Sequence, residues 1–297
     1  MKFGSFKSVC RSSTLPICNI FLGNFEPYCL LRGLGHVFGI RIKNPLDVFF
    51  ASISALVALW LIIRSQSKYA AVGRREMQIL ILIYFFISIC QIFTIGGFIT
   101  DAKVFGYFTA AHISFIVTFF WVLLLNAIVG YQLFEDGTIF SISLLVVPSI
   151  LLFVGSGYII LDSMFFWSDT FIDNYYALRN YGAYILYFLW PLVSIVGYFV
   201  LEFILVFKVL EEWKPLLLLS GSLVSFIVGQ IFNFVASRHI CHIVHGKIDG
   251  SFIETIFLLI SMILLFKFWD SITEDDWEEP MFQETQMSSV PKFDFSP

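Results

Sequence analysis

Three histidines and a cysteine late in the chain have the clearest capacity for chemistry. His239, His242 and His245 recur at steps of three, with Cys241 among them. Imidazole nitrogens and thiolates are zinc ligands. A three-residue step on a helix, however, turns each side chain about 60° from the previous one, so the rings do not share one face. The one carboxylate nearby is Asp249. We therefore interpret this group as a polar interfacial loop and expect no metal site.

A second set of polar residues lies inside long apolar stretches. Its two carboxylates, Glu202 and Glu254, are each near an end of a stretch, so we expect both to reach a membrane interface. Ion-coupled transporters and intramembrane hydrolases need converging ionisable groups near the bilayer centre. The sequence therefore predicts no catalytic residues and no cofactor. The full set is Gln91, His112, Asn126, Glu202, Gln230, Asn233 and Glu254.

Seven apolar stretches would position these groups. Even the shortest would extend roughly 27 Å as a helix, close to the thickness of a thin bilayer core. Hydrophobic residues make up 58% of the chain and charged residues 13%, which a soluble domain could not accommodate. We predict an all-α bundle of seven transmembrane helices, helix one to helix seven. They span 46–63, 77–98, 105–133, 139–161, 181–207, 215–236 and 250–268.

The distribution of charged residues predicts an acidic carboxyl-terminal tail and the orientation of the chain in the membrane. The chain divides into a Cys-containing amino-terminal tail (1–45), the helical domain (46–268) and an acidic carboxyl-terminal tail (269–297). Basic residues follow helix one more densely than they precede it, which favours a cytosolic first loop, a lumenal amino terminus and a cytosolic acidic tail. The following residues are Arg64, Lys68, Arg74 and Arg75; the preceding ones are Arg41 and Lys43. No basic patch suggests nucleic acid as a partner.

Four of the five cysteines fall on one side of this topology. Cys10, Cys18 and Cys29 lie in the amino-terminal tail, and Cys241 lies between helices six and seven. If that side is the oxidising lumen, two disulfides can form, with three possible connectivities. Cys90 lies within helix two, where it serves as a small apolar residue.

Helix six carries a stripe of small or polar residues at four-residue steps: Gly221, Ser225, Gly229 and Asn233. Such a stripe lets a neighbouring backbone approach closely, which is typical of packing between membrane helices. Helix three carries a similar stripe of Ala110, Ser114 and Thr118. The two stripes either meet within the bundle or face a partner's helices. We favour packing within the bundle, with a client-binding groove as the alternative.

Three short polar sequences follow helices in a fixed order. They are Gly73-Arg74-x-Glu76 after helix one, Glu135-Asp136-Gly137-Thr138 after helix three, and Trp269-Asp270-x-x-Thr273-x-Asp275-Asp276 after helix seven. Together with Cys10 and Cys18, they resemble the fungal chitin synthase export chaperone family over nearly the whole chain. The region from 162 to 180 and the Phe-rich helices depart from the family pattern, which leaves the identity of the client open.

The resemblance implies a resident of the endoplasmic reticulum membrane that catalyses no reaction. It would assist the folding and vesicular exit of a polytopic chitin synthase and so support cell wall chitin. Its partners would be that client, the lipid bilayer and, through the acidic tail, a vesicle coat. Asp276 and Glu278 have the acidic-x-acidic form of an export signal, although the alternative is a solvated run of charge. We interpret Glu135–Thr138 as a tight connector rather than a docking site, because Asp-Gly favours a turn.

Two other classes share seven helices, namely signalling receptors and small-solute transporters. Helix three lacks the acidic-Arg-Tyr switch of a receptor at its end, and helix seven lacks an Asn-Pro-x-x-Tyr element. A transporter would have broken helices at corresponding places in its two halves. Pro148 and Pro191 are single interruptions, which predict kinks. The chaperone interpretation is therefore favoured.

Overall fold

Seven long helices dominate the computed structural model of the protein, which confirms the all-α membrane bundle. The structure describes residues 3–21, 25–29, 31, 33–37, 40–68, 71–131, 138–168, 170–171, 178–210 and 212–273. All seven are long and apolar enough to cross a bilayer. Helices one to seven are Pro45–Gln66, Arg74–Gly96, Ala102–Gly130, Ile139–Phe165, Tyr181–Lys208, Trp213–Ile243 and Ser251–Ile272.

Local chemistry sets several helix ends. Pro45 occupies the first turn of helix one, where the missing N–H costs nothing. The Asp101 side chain accepts hydrogen bonds from the backbone N–H groups of Lys103 and Val104 and so caps helix three. Gly97, at φ 75°, ends helix two in the left-handed conformation. Such caps override hydropathy, which explains why observed and predicted ends differ by a few residues.

Helix six continues further than predicted, to Ile243. A π-helical turn at Phe232–Ala236 leads directly into Ser237–Ile243, so the backbone hydrogen bonds continue past the apolar stretch. His239 and His242 therefore lie on a helix, and the expected loop begins only near His245. The expectation of an interfacial loop was wrong for these two residues, because a polar sequence can continue a helix that leaves the bilayer core.

The amino-terminal segment is a packed cap rather than a loose tail. It contains a short helix (Lys7–Ser12), a 3-10 helix (Pro16–Phe21) and a hairpin of β1 (Leu34–Val37) and β2 (Ile40–Ile42). Phe6, Ile17 and Phe21 are completely or almost completely buried, in one cluster with Ile113 of helix three. We call the end of the bundle that this segment covers the capped end. The opposite end, where helix seven ends at Ile272, is the tail end.

The larger hydrophobic cluster fills the bundle from its middle to the tail end. Leu61, Leu80 and Leu219 of helices one, two and six are buried in it, as is Phe268 of helix seven. Burying each such side chain contributes roughly 1.5–3 kcal/mol in water, and in lipid close packing takes over that role. The cluster fixes the ends of helices two, three, five and seven, which carry the site described below.

Candidate functional site

The polar sequences that follow helices one and seven meet the start of helix four at the tail end. The indole Nε1 of Trp269 donates a hydrogen bond to the backbone oxygen of Val72 at 2.9 Å. The Ser141 hydroxyl donates to the Glu76 carboxylate at 2.7 Å. A salt bridge of 3.1 Å joins Lys68 to Asp270. Segments that are far apart in sequence thus form one cluster that ties helices one, two, four and seven together.

Gly73 opens helix two in a conformation that glycine adopts without strain. Its φ is +67°, in the left-handed region, and its carbonyl accepts the hydrogen bond from the N–H of Met77. A Cβ there would lie 3.7 Å from Val129, an ordinary contact, so the dihedral angle rather than space requires glycine. Arg74 follows and donates to the backbone oxygen of Gln66 at 3.4 Å.

Thr138 caps helix four, since its hydroxyl oxygen accepts a hydrogen bond from the N–H of Ser141 at 3.2 Å. This position suits a connector between helices three and four. Glu135, Asp136 and Gly137 lie outside the described residues, and so do Asp276 and Glu278 of the predicted export signal. Their roles stay predictions.

A cavity of about 350 Å³ lies beside the motif cluster. We call it the tail-end cavity; helices two, three, five and seven form its walls, and Gly73, Asn126, Tyr131, Glu202, Trp269 and Thr273 are among its lining residues. Glu202 is only 4% exposed, so the bundle encloses its side chain. Helix five continues to Lys208 and holds Glu202 inside the bundle.

Tyr131 lies at the mouth of the tail-end cavity, just past the end of helix three. Its hydroxyl donates to the backbone oxygen of Leu201 at 2.6 Å. Burial, and then the charge of Glu202, raise the pKa of the Tyr131 phenol. The phenol therefore keeps its proton, and it uses that proton on a backbone oxygen rather than on the carboxylate.

A polar network at the capped end contains an acid that the sequence inventory missed. Asp47, in the first turn of helix one, is fully buried and accepts hydrogen bonds from Gln91 at 3.1 Å and Thr255 at 2.6 Å. The signal was present, because acidic residues favour the first turn of a helix. Asp47 lies one residue inside the predicted start of helix one, at position 46, and is absent from the set of intramembrane polar residues given above.

Two further acids complete this network. Asp249 accepts from the Asn44 amide at 2.7 Å and from the Ser251 hydroxyl at 2.6 Å. Glu254 accepts from Gln230 at 2.9 Å and from Asn233. Each of these three acids is therefore hydrogen-bonded by two side chains from the same chain, which is how buried polar groups are stabilised.

A central cavity of about 310 Å³ separates the two ends. Aromatic and aliphatic side chains line most of it, and Gln91, His112 and Glu254 are among its polar lining residues. His112 is hydrogen-bonded to Thr94 at 3.0 Å. Gln91 and Glu254 are occupied by the network of the capped end. These polar groups therefore hold helices together, as expected for His112.

The stripe on helix six faces helix seven. A Cβ at Gly229 would lie 3.1 Å from the Phe257 side chain and 3.4 Å from the backbone oxygen of Glu254. A Cβ at Gly221 would lie 3.4 Å from the Leu264 side chain. Asn233 is buried against helix seven as well, while Ser225 is half-buried. The stripe thus packs within the bundle.

The stripe on helix three faces helix four instead. Ala110, Ser114 and Thr118 are buried, and a Cβ at Gly157 of helix four would lie 3.2 Å from the Ser114 hydroxyl. The two stripes therefore contact different helices and do not face each other across one seam. Both are already occupied by neighbouring helices of this chain.

Two disulfides hold the capped end. Cys10 is bonded to Cys18, and Cys29 is bonded to Cys241. The second bond joins the amino-terminal cap to helix six across 212 positions of sequence. Cys90 is a buried free thiol. Among the described residues, no three His, Cys, Asp or Glu side chains lie close enough together to hold a metal ion.

Comparison with known proteins gives one consistent result. The family model described as "Chitin synthase export chaperone" matches residues 2–283. Curated relatives named chitin synthase export chaperone include those of Coccidioides immitis and Aspergillus fumigatus, each 31% identical over 94% of this chain and 85% of the relative. The relative from Cryptococcus neoformans is 31% identical over 93% of this chain and 76% of its own length. No solved structure matches.

Proposed function

Because this chain belongs to the chitin synthase export chaperone family, we propose that it assists the folding and vesicular exit of a polytopic chitin synthase from the endoplasmic reticulum. One observation carries the proposal: the family match covers the whole seven-helix unit and the motif cluster at the tail end. The protein would act by binding its client rather than by catalysing a reaction. The family supports neither a receptor nor a transporter.

The way helices associate in a bilayer gives a physical basis for such a role. A polytopic client exposes polar groups and small-residue faces before its own helices close, and helices in a bilayer associate through these same features. A membrane-embedded partner can occupy them until the client is complete. The stripes on helices three and six are already filled by this chain's own helices, so we place client contact elsewhere on the bundle.

We propose that the capped end lies in the lumen and the tail end in the cytosol. Two disulfides at the capped end support this, since such bonds persist in oxidising compartments. The sequence has no Asn-x-Ser/Thr sequon, so an added one is a clean reporter. A sequon fused before Met1 should be glycosylated, and one fused after Pro297 should not. The opposite pattern would invert the topology.

We further propose that the acidic carboxyl-terminal tail joins the cargo to a vesicle coat. The Asp276-Trp277-Glu278 sequence motivates this step. Replacing Asp276 and Glu278 with Ala should slow departure of the chaperone and its client from the endoplasmic reticulum. Replacing Glu284 and Asp294 removes the same charge elsewhere in the tail and serves as the control. Equal export by both double variants would show that Asp276 and Glu278 belong to a solvated run of charge and not to an export signal.

The main function is tested by deleting this protein in its own fungal cell and imaging each tagged chitin synthase. Retention of a synthase in the endoplasmic reticulum, with other membrane proteins exported normally, is the expected result. It would also identify the client. Normal delivery of every synthase would overturn the proposal.

A further inference from the structure

The tail-end cavity contains a buried carboxylate that the bundle does not neutralise. Glu202 accepts no hydrogen bond from the described residues, and its Oε2 atom is buried without a partner. Among the described residues that line this cavity, Glu202 is the one carboxylic acid, and none is Lys or Arg. A buried ionised carboxylate is costly unless a cation or hydrogen-bond donors compensate it.

Four neighbouring donors are directed elsewhere. Tyr131 donates to the Leu201 oxygen, Trp269 to the Val72 oxygen, and Thr273 to the Trp269 oxygen. Asn126 donates to the oxygen of Val122, one helical turn earlier. Each of these donors satisfies a backbone carbonyl, so each stabilises the wall of the cavity. Glu202 is left facing the space that the wall encloses.

The shape of the cavity limits what can enter. Its volume of about 350 Å³ is near the lower end of the range for small-ligand pockets, roughly 300–1,000 Å³, which suits a side chain or a small head group rather than a helix. Val72, Leu205 and Ile272 supply apolar wall, and Glu202 supplies charge at one point. An occupant that fits has an apolar stem and a cationic end.

Lysine and arginine side chains have this form, because their methylene stems pack on apolar surfaces while their heads carry the charge. Polytopic membrane proteins concentrate these residues at the cytosolic ends of their helices. On the topology proposed above, the tail-end cavity lies at that level of the membrane. We propose that it receives a Lys or Arg side chain from the cytosolic flank of a client helix, with Glu202 as its counter-ion.

This inference rests on the proposed function, and it adds the chemistry by which the client is recognised. A newly made client with incompletely packed helices presents such basic flanks individually. Glu202 can hold one of them until the client's own contacts form. The motif residues Gly73 and Trp269 would then matter because they shape the wall of this cavity.

Two variants test the inference in the full-length chain, purified with its synthase in mild detergent. Glu202→Gln keeps the size of the side chain and removes the charge. Gly130→Leu keeps the charge and fills the space, since a Cβ at Gly130 would lie 3.8 Å from Glu202 Oε1. Each should reduce the recovered synthase about tenfold or more, the effect of losing a close charge pair at an interface. Glu212→Gln, an exposed change at the same end, is the matched control and should recover as much as wild type.

Abundance and thermal midpoint are measured for every variant. If Glu202→Gln lowers abundance or the thermal midpoint, the synthase recovered with Gly130→Leu is used to test the inference. If both variants unfold the chain, the cavity is structural and the inference fails. Wild-type recovery of synthase by both variants also overturns it. Loss of co-purified phosphatidylethanolamine with unchanged synthase recovery would assign the cavity to a lipid amine instead. If Glu202→Lys restores binding to a synthase whose flanking basic residue is changed to Glu, the contact is established.

The outcome is separate from that of the deletion experiment. Normal synthase delivery in the deletion strain would remove the proposed function itself. Retention in the deletion strain, combined with normal export in the Glu202→Gln strain, would keep the function and reject this binding site.

Discussion

The polar network of the capped end and the tail-end cavity differ in how they hold buried acids. At the capped end, Asp47, Asp249 and Glu254 each accept hydrogen bonds from two side chains of the same chain. At the tail end, Glu202 accepts none from the described residues. The capped end also carries both disulfides, whereas the tail end has no covalent crosslink among the described residues and is held by the larger hydrophobic cluster, a partly exposed salt bridge and hydrogen bonds.

The difference teaches where stability and recognition are located. Groups that are hydrogen-bonded within the chain contribute to folding and have little left to offer a partner. A buried acid without an internal partner stabilises nothing until something binds it. We therefore expect substitutions at the capped end to lower folding and abundance, and substitutions in the tail-end cavity to lower client export at normal abundance.

The largest effect should come from Gly250→Ala at the capped end. A Cβ at Gly250 would lie 2.5 Å from the Phe232 oxygen and 2.8 Å from the Ser237 Cα, and backbone atoms cannot rotate aside. Overpacking of this kind costs typically 1–3 kcal/mol, so we expect about 3 kcal/mol or more here. The thermal midpoint in detergent and cellular abundance measure the loss. Gly155→Ala is the control, because a Cβ there meets no atom within 4 Å. Equal midpoints for the two variants would contradict the prediction.

The next largest effect should come from Cys241→Ser, which removes the bond to Cys29. Loss of a disulfide costs about 2–4 kcal/mol, and more for a longer loop. Cys18→Ser opens a loop of only 8 positions, against 212 for Cys241, and should cost less. Thermal midpoints without reductant rank the variants, and a non-reducing gel reports each bond. A larger loss from Cys18→Ser would break the proposed ranking.

At the tail end, Trp269→Phe should have a moderate effect. The ring still packs, but the Val72 oxygen loses its donor, which costs about 1 kcal/mol. Trp213→Phe is the matched control, because Trp213 is 74% exposed at the same end of the bundle. Thermal unfolding compares the two. A loss from Trp269→Phe as large as that from Gly250→Ala would show that the tail end is held as firmly as the capped end.

The smallest effect should come from Lys68→Ala. Its salt bridge to Asp270 is partly exposed, and such pairs contribute about 0–1 kcal/mol. A double-mutant cycle with Asp270→Asn, repeated at high salt, isolates the pair. A coupling well above 1 kcal/mol that persists in salt would require a network of charges in place of one isolated pair.

Hydropathy alone predicted the seven spans, because twenty or so apolar residues in a row have few other stable arrangements. It could not place the helix ends, which depend on caps such as Asp101 and on the π-helical turn that carries helix six to Ile243. The number of membrane crossings between them placed four cysteines on one side of the membrane. Their pairing, however, depends on how the amino-terminal segment folds. The sequence held no signal for that pairing.

The site was less accessible to sequence reasoning than the fold. The small-residue stripe on helix six predicted close packing, yet only the fold shows that helix seven fills it while helix four meets the stripe on helix three. The burial of Asp47 depends on Gln91 and Thr255, which come from helices two and seven and are far from it in sequence. The sequence predicted the distance of Glu202 from the end of helix five, but the burial of its side chain beside a cavity is visible only in the fold.

The bond between Cys29 and Cys241 also imposes an order on synthesis. Cys29 enters the lumen, on the proposed topology, long before its partner exists, because five membrane helices and most of the sixth precede Cys241. At roughly 5–20 residues per second, the intervening 212 positions take about 10–40 s to translate. During that interval Cys29 lacks its native partner. A chain whose translation stops before Cys241 never forms the bond. The bond therefore forms only after nearly the whole bundle has been synthesised. A free Cys29 thiol marks an incomplete chain that thiol-dependent quality control in the lumen can recognise.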